Sequence, residues 1–255
     1  MSNPTSDFFF DAYNRDEIAY GLTPSASLAA FLDQFSRDGL DGGARALDLG
    51  AGAGRDTLAM ARAGFHVTSV DISERGLQRI AERAKEFGVG DRVSTKVSDV
   101  RQFQMPANHY DVVIGTTVLD HVPAEDAKAV WSSMVGSLGD RGVLFVEVHT
   151  TEDPGSPVAP GCDNDAPVSE TADAVVNYFS PNQLASWAIE PESKLRILNY
   201  EERLEWDYTH GAEHMHGKAI LLAVRSGYHP KWYGQPAAFP RQPPPHSHDN
   251  NSSRV

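Results

Sequence analysis

The sequence predicts an α/β fold in which helices cover both faces of a mostly parallel sheet. First, short apolar runs alternate with longer amphipathic segments along residues 45–148, the order expected when crossover helices connect parallel strands. Second, a chain of 255 residues with 40% hydrophobic and 22% charged residues has the composition of a globular protein. The chain therefore has enough apolar residues to form a sizeable core.

The expected elements follow one another closely. Apolar residues at helical spacing after Thr23-Pro24-Ser25 predict an N-terminal helix, at Leu28, Phe31, Leu32 and Phe35. Apolar runs predict strands at residues 46–49, 67–70, 93–97, 111–114 and 143–148, with two more around 195–205 and 217–224. Amphipathic segments predict helices at residues 56–63, 74–87 and 124–138, and a short helix whose first turn contains Pro181.

Composition divides the chain into three parts. Residues 1–40 form an N-terminal cap segment, residues 41–228 the main domain, and residues 229–255 a polar, proline-rich tail that we expect to be disordered. Within the main domain, residues 150–177 contain four prolines with several Gly, Asp and Ser residues. A connection of this length is usually functional or disordered, so we expect a lid-like insertion.

Charge and cysteine content exclude several classes of protein. Lys and Arg total 22 against 35 Asp and Glu, a net charge of −13, which argues against a nucleic-acid partner because phosphate binding depends on clustered cations. The single cysteine, Cys162, can form neither an internal disulfide nor a thiolate zinc cage. Because residues 1–17 do not resemble a secretory signal and no apolar run reaches membrane-spanning length, we expect a cytoplasmic protein without a membrane partner.

A glycine-rich loop lies where the first strand meets the first helix. Its sequence, Asp48-Leu-Gly-Ala-Gly-Ala-Gly-Arg-Asp56, lets a ligand approach bare backbone beside the free N–H groups of a helix. A dinucleotide fingerprint would need a further glycine at Arg55 or Thr57, so NAD is disfavoured. Asp48 suits a ligand that carries an amine. The expected cofactor contacts from this loop are Asp48, Gly50, Ala51, Gly52, Gly54 and Arg55.

Two later acids follow strand ends. Asp71 comes directly after the second strand and is placed to accept both ribose hydroxyls, and Asp99 follows the third strand, where it can accept an adenine amine. The glycine loop and the two acids together describe a site for a nucleoside without a phosphate.

Residues 45–148 resemble the class I S-adenosylmethionine-dependent methyltransferases. The matching motifs are Asp48-Leu-Gly-Ala-Gly-Ala-Gly54, Val70-Asp71, Ser98-Asp99-Val100, Tyr110-Asp111-Val-Val and Gly142-Val-Leu-Phe. The resemblance implies a Rossmann-like sheet of seven strands with an antiparallel C-terminal strand, and S-adenosylmethionine as the cofactor. It also implies that the methionine end lies on Gly50, Gly52 and Gly54, the ribose on Asp71, and the adenine beside Asp99 between Ile72 and Val100.

The C-terminal part is similar to the tellurite-resistance and thiopurine-type methyltransferases. The similarity rests on Tyr178-Phe-Ser-Pro-x-x-Leu-x-x-Trp187, on Asn199-Tyr-Glu-Glu202 and on a last strand that ends at Arg225. It implies a small-molecule acceptor, first of all a thiol, a sulfide or a related selenium or tellurium nucleophile. Two alternatives stay open, namely an O- or N-methyltransferase of a small metabolite and a non-catalytic scaffold or sensor that binds S-adenosylmethionine. Oligomeric state is not predicted.

Catalytic candidates follow from the rule that ligands bind at the carboxyl ends of the strands in open α/β sheets. After the fourth strand this rule selects Thr116 as a cofactor contact, Thr117 as a substrate contact, and Asp120 and His121 as catalytic candidates. His149, after the fifth strand, is the third catalytic candidate. These groups would orient or deprotonate the acceptor. The alternatives are a helix-capping or adenine-edge contact for His121 and a contact with the lid for His149.

Further substrate contacts are expected from outside the central strands. Tyr13 and Tyr20 are placed to close over the sulfonium by cation–π attraction or to pack the N-terminal segment. Residues 207–216 combine Asp207, Glu213 and three histidines, and we considered a metal site, pocket-lining polar groups and a solvated loop. We assign no metal ligand there. The complete set of expected substrate contacts is Tyr13, Tyr20, Thr117, Thr150, Tyr178, His210 and His214.

Overall fold

A computed structural model describes residues 21–37, 43–158, 166–208 and 211–233. The strands are β1 (Arg45–Leu49), β2 (His66–Asp71), β3 (Val93–Val97), β4 (Tyr110–Thr116), β5 (Leu138–His149), β6 (Leu195–Asp207) and β7 (His214–Arg225). The helices are α1 (Ala26–Arg37), α2 (Arg55–Arg62), α3 (Glu74–Glu86), α4 (Ala124–Ser137) and α5 (Gln183–Ile189). Short 3₁₀ turns lie at Gly90–Arg92, Leu119–His121 and Ala172–Ala174.

The seven strands form one sheet in the order β3-β2-β1-β4-β5-β7-β6. Strands β1 to β5 pair in parallel, whereas β7 is antiparallel to both β5 and β6. The predicted fold, a mostly parallel seven-stranded sheet with an antiparallel C-terminal strand, is confirmed. Strand order reverses between β1 and β4, and this switch point is where open α/β sheets bind ligands.

Alternate residues of the central strands face opposite sides of the sheet and form two separate cores. Strands buried on both faces read as continuous apolar runs, which is why the sequence showed them clearly. One core contains Leu47, Leu49, Val113, Leu144, Val146 and Val148 with α4 and α5. The other contains Ala46, Val112, Ile114, Val143 and Phe145 with α1 and α2.

The N-terminal helix α1 is held in place by apolar and polar contacts. Leu28, Phe31 and Leu32 are buried in the second core, and the Phe31 ring lies 5.5 Å from that of Trp232. Just before the helix, the Ser25 hydroxyl donates a hydrogen bond to Glu147 of β5. Trp232 is also buried, so packed structure continues into residues 229–233 of the predicted tail. Residues 234–255 lie outside the described residues.

Helix α3 supports the glycine loop. It begins after Ser73, whose hydroxyl accepts a hydrogen bond from the Gly76 amide at 3.0 Å, a standard N-cap. From its buried face, Arg83 donates to the Ala53 carbonyl oxygen at 2.8 Å. The helix therefore fixes the loop that leaves β1.

Two of the differences between predicted and observed boundaries have a clear local cause. Helix α5 begins at Gln183, because Asn182 has a φ of 62° in the left-handed region, and so the prediction that Pro181 lies in the first helical turn is wrong. Helix α4 ends at Ser137, and β5 begins at Leu138 rather than at Val143. Strand β5 starts early because Leu138 pairs with Tyr110 of β4. An irregularity separates this pair from the main β4–β5 register, which begins at Val112 and Val143.

No helix among the described residues is long and apolar enough to span a membrane. The longest, α4, has 14 residues, whereas a membrane-spanning helix needs about 20.

Candidate functional site

A cavity of about 360 Å³ opens at the carboxyl ends of β1, β2 and β4. Its position at the switch point agrees with the rule for ligand sites in open α/β sheets. The sequence-predicted residues on its wall are Asp48, Gly50, Ala51, Gly52, Arg55, Asp71, Ile72, Asp99, Val100, Thr116, Thr117, His121 and His149. Residues at the carboxyl ends of all five parallel strands, β1 to β5, therefore meet at one place.

The glycine loop turns sharply at the end of β1. The amides of Gly50 and Ala51 both donate to the Val70 carbonyl oxygen, at 2.9 and 3.0 Å, so the loop is tied to β2. Gly54 has a φ of 92°, and a Cβ there would lie 2.6 Å from a side-chain carbon of Ile80. Gly54 does not line the cavity and instead permits close packing of α2 against α3.

Gly76 and Gly136 provide a matched pair of glycine-to-alanine tests. An alanine Cβ at Gly76 would lie 2.5 Å from the Gly52 carbonyl oxygen, whereas Gly136 of α4 is exposed and has no atom within 4 Å of the new Cβ. We expect Gly76→Ala to displace the loop and to lower the free energy of unfolding by about 1–3 kcal/mol. Gly136→Ala should raise it by about 0.5–1 kcal/mol through helix propensity. Urea unfolding measures both, and equal effects of the two substitutions would contradict the close contact at Gly76.

Acidic groups concentrate beneath the glycine loop. Asp48 is buried and accepts a hydrogen bond from the Thr57 hydroxyl at 2.5 Å. Burial, together with the neighbouring charge of Asp56, raises the pKa of Asp48 to about 8. Arg55 forms two hydrogen bonds with Asp56, at 2.9 and 3.2 Å. A ligand cation near Asp48 would stabilise its ionised form.

Asp71 joins the glycine loop to the start of α3. Its two carboxylate oxygens accept hydrogen bonds from the amides of Gly52, at 2.8 Å, and Ser73, at 2.7 Å. Burial raises the pKa of Asp71 although these hydrogen bonds oppose the shift. Each carboxylate oxygen has a second lone pair, so the group can still accept hydrogen bonds from a ligand in the cavity.

Arg101 covers Asp99 at the far side of the cavity. Its guanidinium donates to both carboxylate oxygens of Asp99, at 2.5 to 3.0 Å. The Arg101 hydrogen bond is the main cause that holds the pKa of Asp99 below the usual aspartate value. Both residues line the cavity. Arg101 was not predicted from the sequence, although an arginine two residues after an expected ligand-binding acid is a visible signal.

A buried aspartate in the turn after β4 links two histidines. Asp120 is fully buried, and its Oδ2 lies 2.5 Å from Nδ1 and 3.0 Å from the backbone nitrogen of His149. Its other oxygen lies 3.3 Å from Nδ1 of His121. Burial alone would raise the pKa of Asp120, but His121 and His149 hold it below the usual aspartate range. Burial lowers the pKa of His149, and its contact with Asp120 opposes this shift only in part.

A second polar cluster lies beside His149 and comes from the lid-like insertion and β7. Asp153 Oδ2 lies 3.0 Å from Nδ1 of His216, and the rings of His216 and His149 are 4.7 Å apart. His214 and His216 are 2% and 4% exposed, so the solvated-loop interpretation is wrong for both. Lys218 contacts Glu205 at 2.6 Å.

Asp153 and Lys218 were not predicted from the sequence as members of this cluster. Lys218 follows His214 and His216 at spacings of two, which place all three on one face of a strand, so this residue could have been found. Asp153 could not, because its partner His216 is 63 residues away in the chain.

Several other expected site residues lie away from the cavity wall. Thr150 is buried and its amide donates to the Gly217 carbonyl oxygen at 2.8 Å. The Tyr178 hydroxyl donates to the Ala172 carbonyl oxygen at 3.4 Å. Asp120 and His214 are buried and contact His149 and His216, respectively. The expected contacts Tyr13, Tyr20 and His210 lie outside the described residues.

The end of β4 combines an unsatisfied hydroxyl with a strained backbone. Thr116 Oγ1 is buried and has no hydrogen-bond partner among the described residues. Thr117 has a φ of 51°, a conformation that is rare for a β-branched residue and that clusters at functional sites. Both residues line the cavity, so this strand end is shaped for contact with a ligand.

The reversed strand order, the glycine loop and the acids that follow β2 and β3 are typical of nucleoside-binding α/β proteins. Residues 46–142 match a family model described as a methyltransferase domain. The ubiquinone biosynthesis O-methyltransferase of Actinobacillus pleuropneumoniae is 36% identical over 106 residues, covering 40% of this chain and 44% of that protein. The chain thus spans less than half the length of this relative.

Two longer matches extend beyond the central region. The 27-O-demethylrifamycin SV methyltransferase of Amycolatopsis mediterranei is 29% identical over 214 residues, covering 80% of this chain and 75% of that protein. The structure of the Synechocystis magnesium protoporphyrin IX methyltransferase with bound S-adenosylhomocysteine has a TM-score of 0.60 and 22% identity. The structural match covers 88% of this chain and 95% of the Synechocystis chain. Residues 46–142 are therefore similar in sequence to a methyltransferase domain, and the described residues share the fold of a methyltransferase solved with bound S-adenosylhomocysteine.

Proposed function

We propose that this protein is an S-adenosylmethionine-dependent methyltransferase that methylates a hydroxyl group of a small molecule. The single observation that carries the choice of acceptor is the buried Asp120–His149 pair, in which a neutral histidine lines the cavity and an ionised aspartate supports it. This arrangement is that of a general base.

The cavity residues fit the proposed cofactor. The buried carboxyl group of Asp48, with its pKa raised to about 8, would gain a cationic partner from the amino group of a methionine moiety. Asp71 would accept hydrogen bonds from the ribose, and the unpartnered hydroxyl of Thr116 would gain a ligand partner. Ile72 and Val100 would flank the adenine beside Asp99. The cofactor supplies an electrophilic methyl group on a sulfonium.

The protein's part in the reaction is to position the acceptor and to remove its proton. Because the Nδ1–H of His149 donates to Asp120, its Nε2 carries the lone pair and is the atom that accepts a proton. A hydroxyl needs such a base more than a thiol does, since a thiol has a pKa near 8.5 and a phenol one near 10. The names of the two relatives described above, a ubiquinone biosynthesis O-methyltransferase and a 27-O-demethylrifamycin methyltransferase, support an oxygen acceptor.

A thiol, sulfide, selenium or tellurium nucleophile is the second candidate for the acceptor. It is supported by the resemblance of the C-terminal part to the tellurite-resistance and thiopurine-type enzymes. N-methylation and a non-catalytic cofactor-binding role are further outcomes that the experiment below separates.

The test uses purified protein, S-adenosylmethionine with a labelled methyl group, and matched acceptors. Calorimetry first measures cofactor binding, and a phenol and the thiophenol of the same skeleton are then compared, with an aniline as the nitrogen acceptor. We expect methylation of the phenol, with a much greater loss for the phenol than for the thiophenol in His149→Gln. Methylation of the thiophenol alone, unchanged in His149→Gln, would instead establish the second candidate. Cofactor binding without turnover of any acceptor would favour the scaffold.

The pH dependence of the reaction follows from the shifted pKa of His149. The base must be neutral, and burial lowers its pKa from 6.5, so protonation inactivates it only at lower pH. We expect kcat/KM to rise with pH, with a midpoint below about 6.5, and to be level through neutral pH. Measuring kcat/KM between about pH 4.5 and 8 gives this midpoint. The fall in kcat/KM at acidic pH should be absent in His149→Gln. An acidic limb with its midpoint above 6.5 would contradict the assignment.

A further inference from the structure

Two buried histidine rings of β7 face each other through the same kind of nitrogen. Nε2 of His214 and Nε2 of His216 lie 3.0 Å apart, and the ring centroids are 4.7 Å apart. Asp207 Oδ2, from the end of β6, lies 3.9 Å from Nε2 of His216. One ligand atom from each of the three residues lies within 4.8 Å of the others, so two imidazoles and one carboxylate converge.

Hydrogen bonds on the other side of each ring determine which nitrogen carries the proton. Nδ1 of His214 lies 2.7 Å from the Ala212 carbonyl oxygen, which can only accept. Nδ1 of His216 lies 3.0 Å from Oδ2 of Asp153, and a carboxylate oxygen accepts hydrogen bonds. Both Nδ1 atoms therefore donate, and in a neutral imidazole the Nε2 atom then carries the lone pair. Two lone pairs at 3.0 Å require a proton or a metal cation between them.

We propose that His214, His216 and Asp207 bind a divalent first-row transition-metal ion. Metal-ligating histidines typically donate their second ring N–H to a carboxylate or a backbone carbonyl, and both partners are present here. A metal–nitrogen distance of about 2.1 Å gives a separation of about 3.0 Å between ligands at right angles, which matches the two Nε2 atoms. Two imidazoles and one carboxylate are the ligand set of zinc and of iron(II)-type sites and not the oxygen set that Mg²⁺ prefers.

A different trio, His149, Asp153 and His216, also has its ligand atoms within 4.8 Å. In that trio the Nδ1 atoms of both histidines are already bonded to Asp120 and Asp153. Asp153 also accepts hydrogen bonds from the amides of Gly155, at 2.8 Å, and Gly217, at 3.1 Å. Asp153 is therefore a residue that orients His216, and the metal ligands are the residues on the other side of that ring.

The proposed ion would lie next to the methyl-transfer cavity, because Asp207 and His216 both line it. Three protein ligands leave coordination positions open, so the ion would add a Lewis-acidic contact for an acceptor atom. The binding itself does not depend on the proposed function, since it can be measured without turnover.

The test titrates the metal-free full chain with Co²⁺, whose visible absorption reports coordination by nitrogen, and with Zn²⁺ in calorimetry. We expect one equivalent to bind, and no measurable binding of Mg²⁺. His214→Gln and His216→Gln should each weaken Co²⁺ affinity at least tenfold. Asp153→Asn should weaken it about 10- to 100-fold, as expected for a residue that orients a ligand.

Controls separate this site from other histidines and from unfolding. His229→Ala, at an exposed position, and the double variant His246→Ala/His248→Ala should leave the one-equivalent binding unchanged. Circular dichroism of each variant shows whether it is folded, and His214→Gln keeps the proposal testable if His216→Gln does not fold. The proposal is overturned if His214→Gln binds Co²⁺ as wild type does. It is also overturned if His149→Gln weakens binding as much as His214→Gln, which would assign the other trio.

Discussion

Replacing His149 by glutamine is expected to lower kcat for a hydroxyl acceptor about 10²–10⁴-fold, the usual contribution of a positioned general base. Glutamine keeps a polar side chain at the cavity wall but has no group that accepts a proton near neutral pH. The affinity for S-adenosylmethionine should change little, because the cofactor contacts proposed above lie at the ends of β1, β2, β3 and β4. Steady-state kinetics and calorimetry of the same preparation measure the two effects separately.

Asp120→Asn should reproduce much of this loss although Asp120 does not line the cavity. Oδ2 of Asp120 contacts both the amide nitrogen and Nδ1 of His149, so an asparagine oxygen in its place keeps both hydrogen bonds but removes the negative charge. Without that charge the imidazolium that forms when His149 takes a proton is less stable, and His149 is a weaker base. Asp120 is therefore a positioning residue, and its effect should be on kcat more than on KM.

His121 provides the control for both substitutions, because it also contacts Asp120 and lines the cavity. His121→Gln should cost much less activity than His149→Gln if His149 is the base. If His121→Gln lowers the activity more than His149→Gln does, His121 is the general base. Equal activity in wild type, His149→Gln and Asp120→Asn would remove the general base from the mechanism.

The sheet and the cofactor-binding side of the cavity could be predicted from the sequence because both follow from local order along the chain. Strands buried on both faces are short apolar runs, and the ligand-facing residues follow their carboxyl ends. Asp48, Asp71 and Asp99 therefore occupy the predicted cavity wall, as do His121 and His149. Their positions depend on local order along the chain.

The acceptor side could not be predicted to the same extent, because its contacts join distant segments. The pairing of Asp153 with His216 spans 63 residues, and that of Asp120 with His149 spans 29. Strand periodicity placed His214 and His216 on one face, but it does not specify which ring nitrogen meets which partner. Helix α5 is a local example of the same limit, since it begins at Gln183, after the left-handed Asn182 and two residues beyond Pro181.

The second large effect is expected at Asp71, on the cofactor side of the cavity. Asp71→Asn keeps the shape of the side chain but removes the charge and half of the acceptor capacity that the proposed ribose contact needs. Losing one hydrogen bond to a charged group costs about 1.5–3 kcal/mol, so the Kd for S-adenosylmethionine should rise about 10- to 150-fold. Asp71→Ala removes both contacts and should raise Kd further. Calorimetric titration with the cofactor measures both variants.

Part of this effect arises from the loop and not from the ligand, because Asp71 also accepts hydrogen bonds from Gly52 and Ser73. The contribution of the loop alone is given by Gly76→Ala, which displaces Gly52 and leaves the carboxylate in place. Asp111→Asn is the matched control for charge, since Asp111 lies at the opposite end of β4 and is 42% exposed in its contact with Arg45. The Kd of Asp111→Asn for S-adenosylmethionine should equal that of the wild type. If Asp71→Asn binds the cofactor as tightly as Asp111→Asn does, the carboxylate serves the loop only and the ribose contact belongs to another residue.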